Sequence, residues 1–106
     1  MKIVVLAAGT STEREVSIVS GTEVCKALRS RGHQAILVDV FFGKEGADPA
    51  TAFDGDYDVD VEAAYISSFN AQVKDAVASG REFFGPGVIE LCKAADVVFM
   101  ALHGAN

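Results

Sequence analysis

Three apolar runs in this chain show no polar alternation: Ile3-Val4-Val5-Leu6, Ala35-Ile36-Leu37-Val38 and Val97-Val98-Phe99-Met100. A strand with one wet face alternates apolar and polar residues, so a strand that does not alternate is covered on both sides. That is the condition of a parallel sheet layered between helices. The segments between the runs carry helical spacing, which predicts strands over 2–7, 35–40 and 96–102 in the order strand, helix, strand, insertion with helix, helix, strand. Right-handed crossovers then place the first strand in the middle, giving the spatial order 2-1-3. The expected fold class is α/β, a three-layer Rossmann-like domain with a short parallel sheet and a helical insertion between strands two and three. A chain of 106 residues is one domain, able to bury somewhat over ~60% of its unfolded surface without a covalent staple.

The first helix is expected over 13–31, because Val16, Val19, Val24, Ala27 and Leu28 recur at three- to five-residue intervals and Lys26, Arg29 and Arg31 lie near its negative end. Thr12 is placed to cap it, with Glu15 three residues on completing a capping box, and Gly32 supplies the stop. His33 reads as a solvated loop residue. From 41 to 60 the composition turns to Gly and Asp, with Pro49 as a breaker, which marks a loop. Asp54, Asp56, Asp58 and Asp60 invite a calcium loop, but the sixth position is Val59 where Gly is needed and the twelfth is Tyr65 where Glu is needed. They read instead as a solvated acidic approach to a helix that Asp58 or Asp60 caps. That helix is expected over 61–79, with Ile66, Phe69, Val73, Ala76 and Val77 as its apolar stripe and Gly80 as its end. Pro86 is placed to open a further helix to about residue 95, with Val88, Leu91, Cys92 and Ala95 facing inward.

Cys25 and Cys92 have no metal-ligand spacing and fall on apolar helix faces, so reduced core thiols of a cytosolic protein are expected in preference to a disulfide or a reactive pair. The net charge of -6 and the lack of clustered Lys and Arg argue against nucleic-acid and anionic-membrane partners. No apolar run is long enough to span a membrane, and the opening apolar run is too short for a signal peptide. Neither G-x-G-x-x-G nor G-x-x-x-x-G-K-[ST] occurs. Asp39, at a strand end where dinucleotide folds hold a ribose hydroxyl, therefore has no phosphate fingerprint beside it.

Ligands of open α/β sheets bind beyond the carboxyl ends of the strands, where the winding reverses. Here that crevice lies between strands one and three, so Gly9 to Glu13 and His103 to Asn106 are expected to face each other across it. Gly9 sits in a strand-to-helix turn whose free amides favour an anion, although any βαβ unit needs such a turn. Glu13 is suited to an ammonium and His103 to a carboxylate, and together they suit a zwitterionic amino acid. Each also has a structural reading: Glu13 complements the helix dipole, and His103 closes a loop.

The run Ala-Gly-Thr-Ser-Thr-Glu-Arg-Glu-Val-Ser from Ala8 to Ser17, then Ser20-Gly21 and Ala101-Leu102-His103-Gly104, closely resembles the amino-terminal domain of D-alanine D-alanine ligases. Val-Asp-Val-Phe-Phe-Gly and Phe-Phe-Gly-Pro-Gly-Val-Ile-Glu-Leu-Cys look like a form carrying an insertion, over 43–85, between strands two and three. The resemblance implies a pre-ATP-grasp domain of a cytoplasmic, homodimeric enzyme that uses ATP and Mg2+ to join two D-alanines for peptidoglycan in the cell wall. It implies that Glu13 binds the amino group of the first D-alanine, Val16 lines its pocket and His103 lies near its carboxylate, with Glu13 and His103 as the catalytic-site residues. Gly9 and Gly104 would let the backbone approach the ligand.

Ala8 departs from the family by standing where a second Gly is usual. The expected organisation is a single substrate-binding domain over 1–106, with the central and ATP-grasp domains absent, no metal ligands and no cofactor held by this chain alone. The isolated chain is expected to have no ligase activity. Two other classes compete with this reading. One is a free-standing βαβ module that binds a small anion or nucleotide through the Gly9 turn. The other is an interaction domain that pairs through the insertion helix.

Overall fold

The computed structural model describes residues 1–102. In chain order the elements are β1 (Lys2–Ala7), α1 (Arg14–Ser30), β2 (Gln34–Asp39), α2 (Val59–Ser67), a 3-10 turn (Asn70–Gln72), α3 (Val73–Ala78), α4 (Val88–Ala94) and β3 (Val97–Met100). The three strands form one parallel sheet in the order β2-β1-β3, with Val4 opposite both Ile36 and Val98. This is the expected topology. Because side chains alternate across a strand, β1 feeds two cores. Ile3, Val5 and Ala7 pack with Ile18 and Cys25 of α1 and Ile66 of α2, while Val4 and Leu6 pack with Phe53, Val88 and Leu91 on the opposite face.

The buried face of α1 is not the valine stripe. Arg14, Ser17, Ile18, Gly21, Thr22 and Cys25 are buried, a three- and four-residue repeat, whereas Val16 and Val19 are 49% and 63% exposed and Ala27 is exposed. Close approach to the sheet decides this. A Cβ on Gly21 would lie 2.8 Å from the Ala7 Cβ and 3.0 Å from Leu37 Cδ1, so small residues face the sheet and the valines turn outward. The start of the helix also differs. Glu13 occupies the cap position without a side-chain cap bond. Ser11 organises the turn in place of Thr12: its hydroxyl accepts from the Glu13 amide at 3.1 Å and its carbonyl from the Arg14 amide at 3.1 Å.

The insertion helix is broken in two. Asp58 caps α2 by accepting from the Asp60 and Val61 amides, as the sequence allowed. Beyond Ser67 the chain leaves the α-helix, where the Ser68 hydroxyl turns back onto the Tyr65 carbonyl, a local bond that competes with helix continuation. Of the expected stripe, Ile66 is buried and Val77 is half exposed. The neck of the insertion is stitched by backbone bonds from Gly85 to Val40 and from Lys44 to Pro86, both 2.9 Å. Gly87 caps α4, so that helix begins at Val88 rather than at Pro86.

Strand β3 is not buried on both faces. Val97, Phe99 and Met100 are 45%, 44% and 60% exposed, and among the described residues β3 pairs only with β1. The other sheet edge is sealed. Arg29 donates to the Ala35 carbonyl at 2.8 Å, the Tyr57 hydroxyl accepts from the Leu37 amide at 3.0 Å, and the Gly43 amide donates to the Asp39 carbonyl at 2.9 Å. Burial, reinforced by Glu62, raises the Tyr57 pKa far above its ordinary value, so the hydroxyl keeps the proton it donates to the Leu37 carbonyl.

Gly21→Val would force α1 away from the sheet, and overpacking of this kind costs about 1–3 kcal/mol. The thermal midpoint of the variant is expected to fall by about 4–8 °C per kcal/mol. Glu23→Val, on the exposed face of the same helix, should shift it little.

Candidate functional site

The turn after β1 carries the backbone into an uncommon conformation twice in succession, with φ at 71° for Ala8 and 86° for Gly9. Glycine adopts such angles freely, but an alanine held there stores about 1 kcal/mol of strain. Ser17 holds it. Its hydroxyl accepts from the Ala8 amide at 2.9 Å and donates to the Ala101 carbonyl at 2.6 Å, joining the end of β1 to the segment that follows β3. A Cβ on Gly9 would lie 3.7 Å from Val40 and 3.8 Å from Leu102. The chain therefore leaves β3 beside the Gly9 turn, as the 2-1-3 order requires.

Glu13 is exposed at the start of α1, and Val16, one turn further on, is half exposed on the same side. An exposed carboxylate over the first turn thus stands beside a small apolar surface. Gly9 is buried. His103 and Gly104 lie outside the described residues, and with them the expected pairing of Glu13 and His103.

Sequence reasoning missed the residue that holds this turn in place. Arg14 is 4% exposed and Asp39 2%, and their side chains meet at 2.6 Å. An arginine has five N–H donors, and each of these finds an acceptor. Nε donates to Asn70 Oδ1 at 2.7 Å, Nη1 to the Gly9 carbonyl at 2.8 Å and Asp39 Oδ1 at 3.3 Å, and Nη2 to Asp39 Oδ2 at 2.6 Å and the Ile66 carbonyl at 3.2 Å. Asp39 Oδ1 also accepts from the amides of Phe41 and Phe42. The Phe42 ring lies 5.2 Å beneath the guanidinium and stacks on Phe69. Asp39 is thus a structural counter-ion and not a ribose ligand. The available signal was a charged residue at the same helical spacing as Ser17, Ile18 and Gly21.

Cys25 is fully buried and Cys92 half-buried, and both are free thiols. Burial pushes the Cys25 thiol up to about 11 against the opposing pull of Arg29, and burial raises Cys92 as well.

A family model described as the D-ala D-ala ligase N-terminus matches residues 2–106. The chain belongs to the D-alanine D-alanine ligase amino-terminal family. It is 43% identical over 111 residues to the D-alanine–D-alanine ligase of Lacticaseibacillus casei strain BL23, covering 100% of this chain and 31% of that protein. To the enzyme of the same name from Pediococcus pentosaceus it is 38% identical over 117 residues, covering 100% of this chain and 32% of the relative. To that of Gluconobacter oxydans it is 49% identical over 104 residues, covering 98% of this chain and 22% of the relative. The chain spans about a third of the length of the first two relatives.

Removing one partner of a buried ion pair strands the other charge, at a cost of about 3–5 kcal/mol. Asp39→Ala is therefore expected to lower the thermal midpoint by more than about 10 °C. Asp60→Ala, which breaks the exposed Lys26 to Asp60 pair, should leave the midpoint nearly unchanged. A second expectation concerns the thiols. At pH 8 a thiol reagent should leave Cys25 untouched in the folded chain and modify it only on unfolding, because the reacting species is the thiolate.

Proposed function

We propose that this chain is the amino-terminal, substrate-positioning domain of an ATP-dependent ligase that joins two D-alanines for peptidoglycan synthesis. The family match across residues 2–106 carries the reading. The Gly9 turn lying beside Leu102 supports it, because it sets the opening of α1 next to the approach to His103. In this reading residues 1–106 act as one domain with an insertion over 43–85, and the remaining domains of a cytoplasmic homodimer complete the active site. Among the described residues no helix is long and apolar enough to cross a membrane.

Glu13 binds the ammonium of the first D-alanine, Val16 packs against its methyl group, and His103 lies toward its carboxylate. Gly9 and Gly104 keep the backbone close to the ligand. Among the described residues no three His, Cys, Asp or Glu side chains gather so that they could hold a metal ion. In this reading both Mg2+ and ATP are held by the remaining domains. The family match weighs against a free-standing anion-binding module.

A hydrogen bond to a charged group contributes about 1.5–3 kcal/mol, so Glu13→Gln in the full-length ligase is expected to raise the KM for the first D-alanine by about 10- to 100-fold. The KM for ATP should not change. An unchanged first-site KM would overturn the reading, as would D-alanine-dependent phosphate release by the 106-residue chain alone.

A further inference from the structure

Asn70 and Ile66 lie in the insertion, 56 and 52 residues from Arg14 in sequence, yet between them they supply two of the acceptors that hold its guanidinium. Arg14 in turn clasps the Gly9 to Glu13 turn at two points. Its side chain binds the Gly9 carbonyl at 2.8 Å, and its own amide binds the Ser11 carbonyl at 3.1 Å. Glu13 is the residue immediately before Arg14, and its amide is tied to Ser11 Oγ. The turn is therefore a small closed ring with the guanidinium as its clasp, and the orientation of that guanidinium depends partly on the insertion.

We propose that Arg14 is a positioning residue for the first-substrate site and that Asn70 sets it, so that the insertion tunes how the Gly9 to Glu13 turn is presented to the amino-acid substrate. Asp39 supplies the counter-charge and fixes the plane of the guanidinium through two oxygens. Asn70 fixes the remaining edge, at Nε, and is only half-buried. Asp39 thus carries folding stability, whereas Asn70 carries alignment. Without the Asn70 acceptor the guanidinium can swing about the Asp39 contact. Its hold on the Gly9 carbonyl then loosens, and the turn bearing Glu13 moves with it. Misplacement of a substrate-positioning group by about 1 Å can cost as much as 100-fold in rate.

This inference rests on the proposed role of Glu13, and the test separates the two. The full-length ligase is made with Asn70→Ala, Asn70→Asp and Glu13→Gln. For each, the KM of the first D-alanine, the KM of the second D-alanine, the KM of ATP and the thermal midpoint are measured. Asn70→Ala is expected to raise the first-site KM about 5- to 20-fold, with the other two KM values within twofold and the midpoint within a few degrees. Asn70→Asp, which restores an acceptor at the same place, is expected to return the first-site KM to within threefold of the parent. A first-site KM unchanged in Asn70→Ala while Glu13→Gln raises it overturns the positioning role alone. So does a parallel loss of all parameters together with the thermal midpoint, or a failure of Asn70→Asp to rescue. If Glu13→Gln leaves the first-site KM unchanged, it is the reading of the site itself that fails.

Discussion

The buried contact between Arg14 and Asp39 joins the carboxyl end of β2, the turn after β1, the start of α1 and the end of α2 at one point. Two charges removed from water are expensive unless every donor and acceptor is matched. Here they are matched: the guanidinium uses all its donors, and the carboxylate also takes two backbone amides from the chain that follows β2. An apolar substitute could give comparable stability, but it could not specify which carbonyl lies where. The pair thus dictates geometry at the carboxyl end of the sheet, from which the turn bearing Glu13 projects.

The rest of the fold follows from how closely the layers approach. Gly21, Ser17 and Cys25 let α1 sit directly on Ala7 and Leu37, and that closeness brings the Ser17 hydroxyl within reach of both Ala8 and Ala101. One bridging side chain therefore holds the strained Ala8 conformation and fastens the segment after β3 beside the Gly9 turn. The two sheet edges are treated oppositely. Side chains and a turn amide close the outer edge of β2, while β3 presents apolar side chains without a neighbouring strand among the described residues.

The insertion is more than an appendage to this arrangement. Its neck is closed by backbone bonds, Phe69 stacks on the Phe42 ring that lies under the guanidinium, and its broken helix delivers Ile66 and Asn70 to Arg14. The break after Ser67 falls between the two residues that reach Arg14, Ile66 and Asn70.

Strand positions, their parallel arrangement and the 2-1-3 order were legible in the chain because unalternating apolar runs and right-handed crossovers admit few alternatives. The motif from Ala8 to Ser17 was legible too, and it carried the likeness to the family whose model matches residues 2–106. The helix faces were not. Hydropathy favoured Val16 and Val19 as the inward side of α1, but the distance to the sheet selected small and polar residues, and that distance exists only once the layers are packed. The exposure of β3, the break in the insertion helix and the partners of Arg14 likewise depend on groups far apart in sequence. Local periodicity reports how a segment sorts between water and an apolar interior; which buried polar groups must satisfy one another is decided only by tertiary contact.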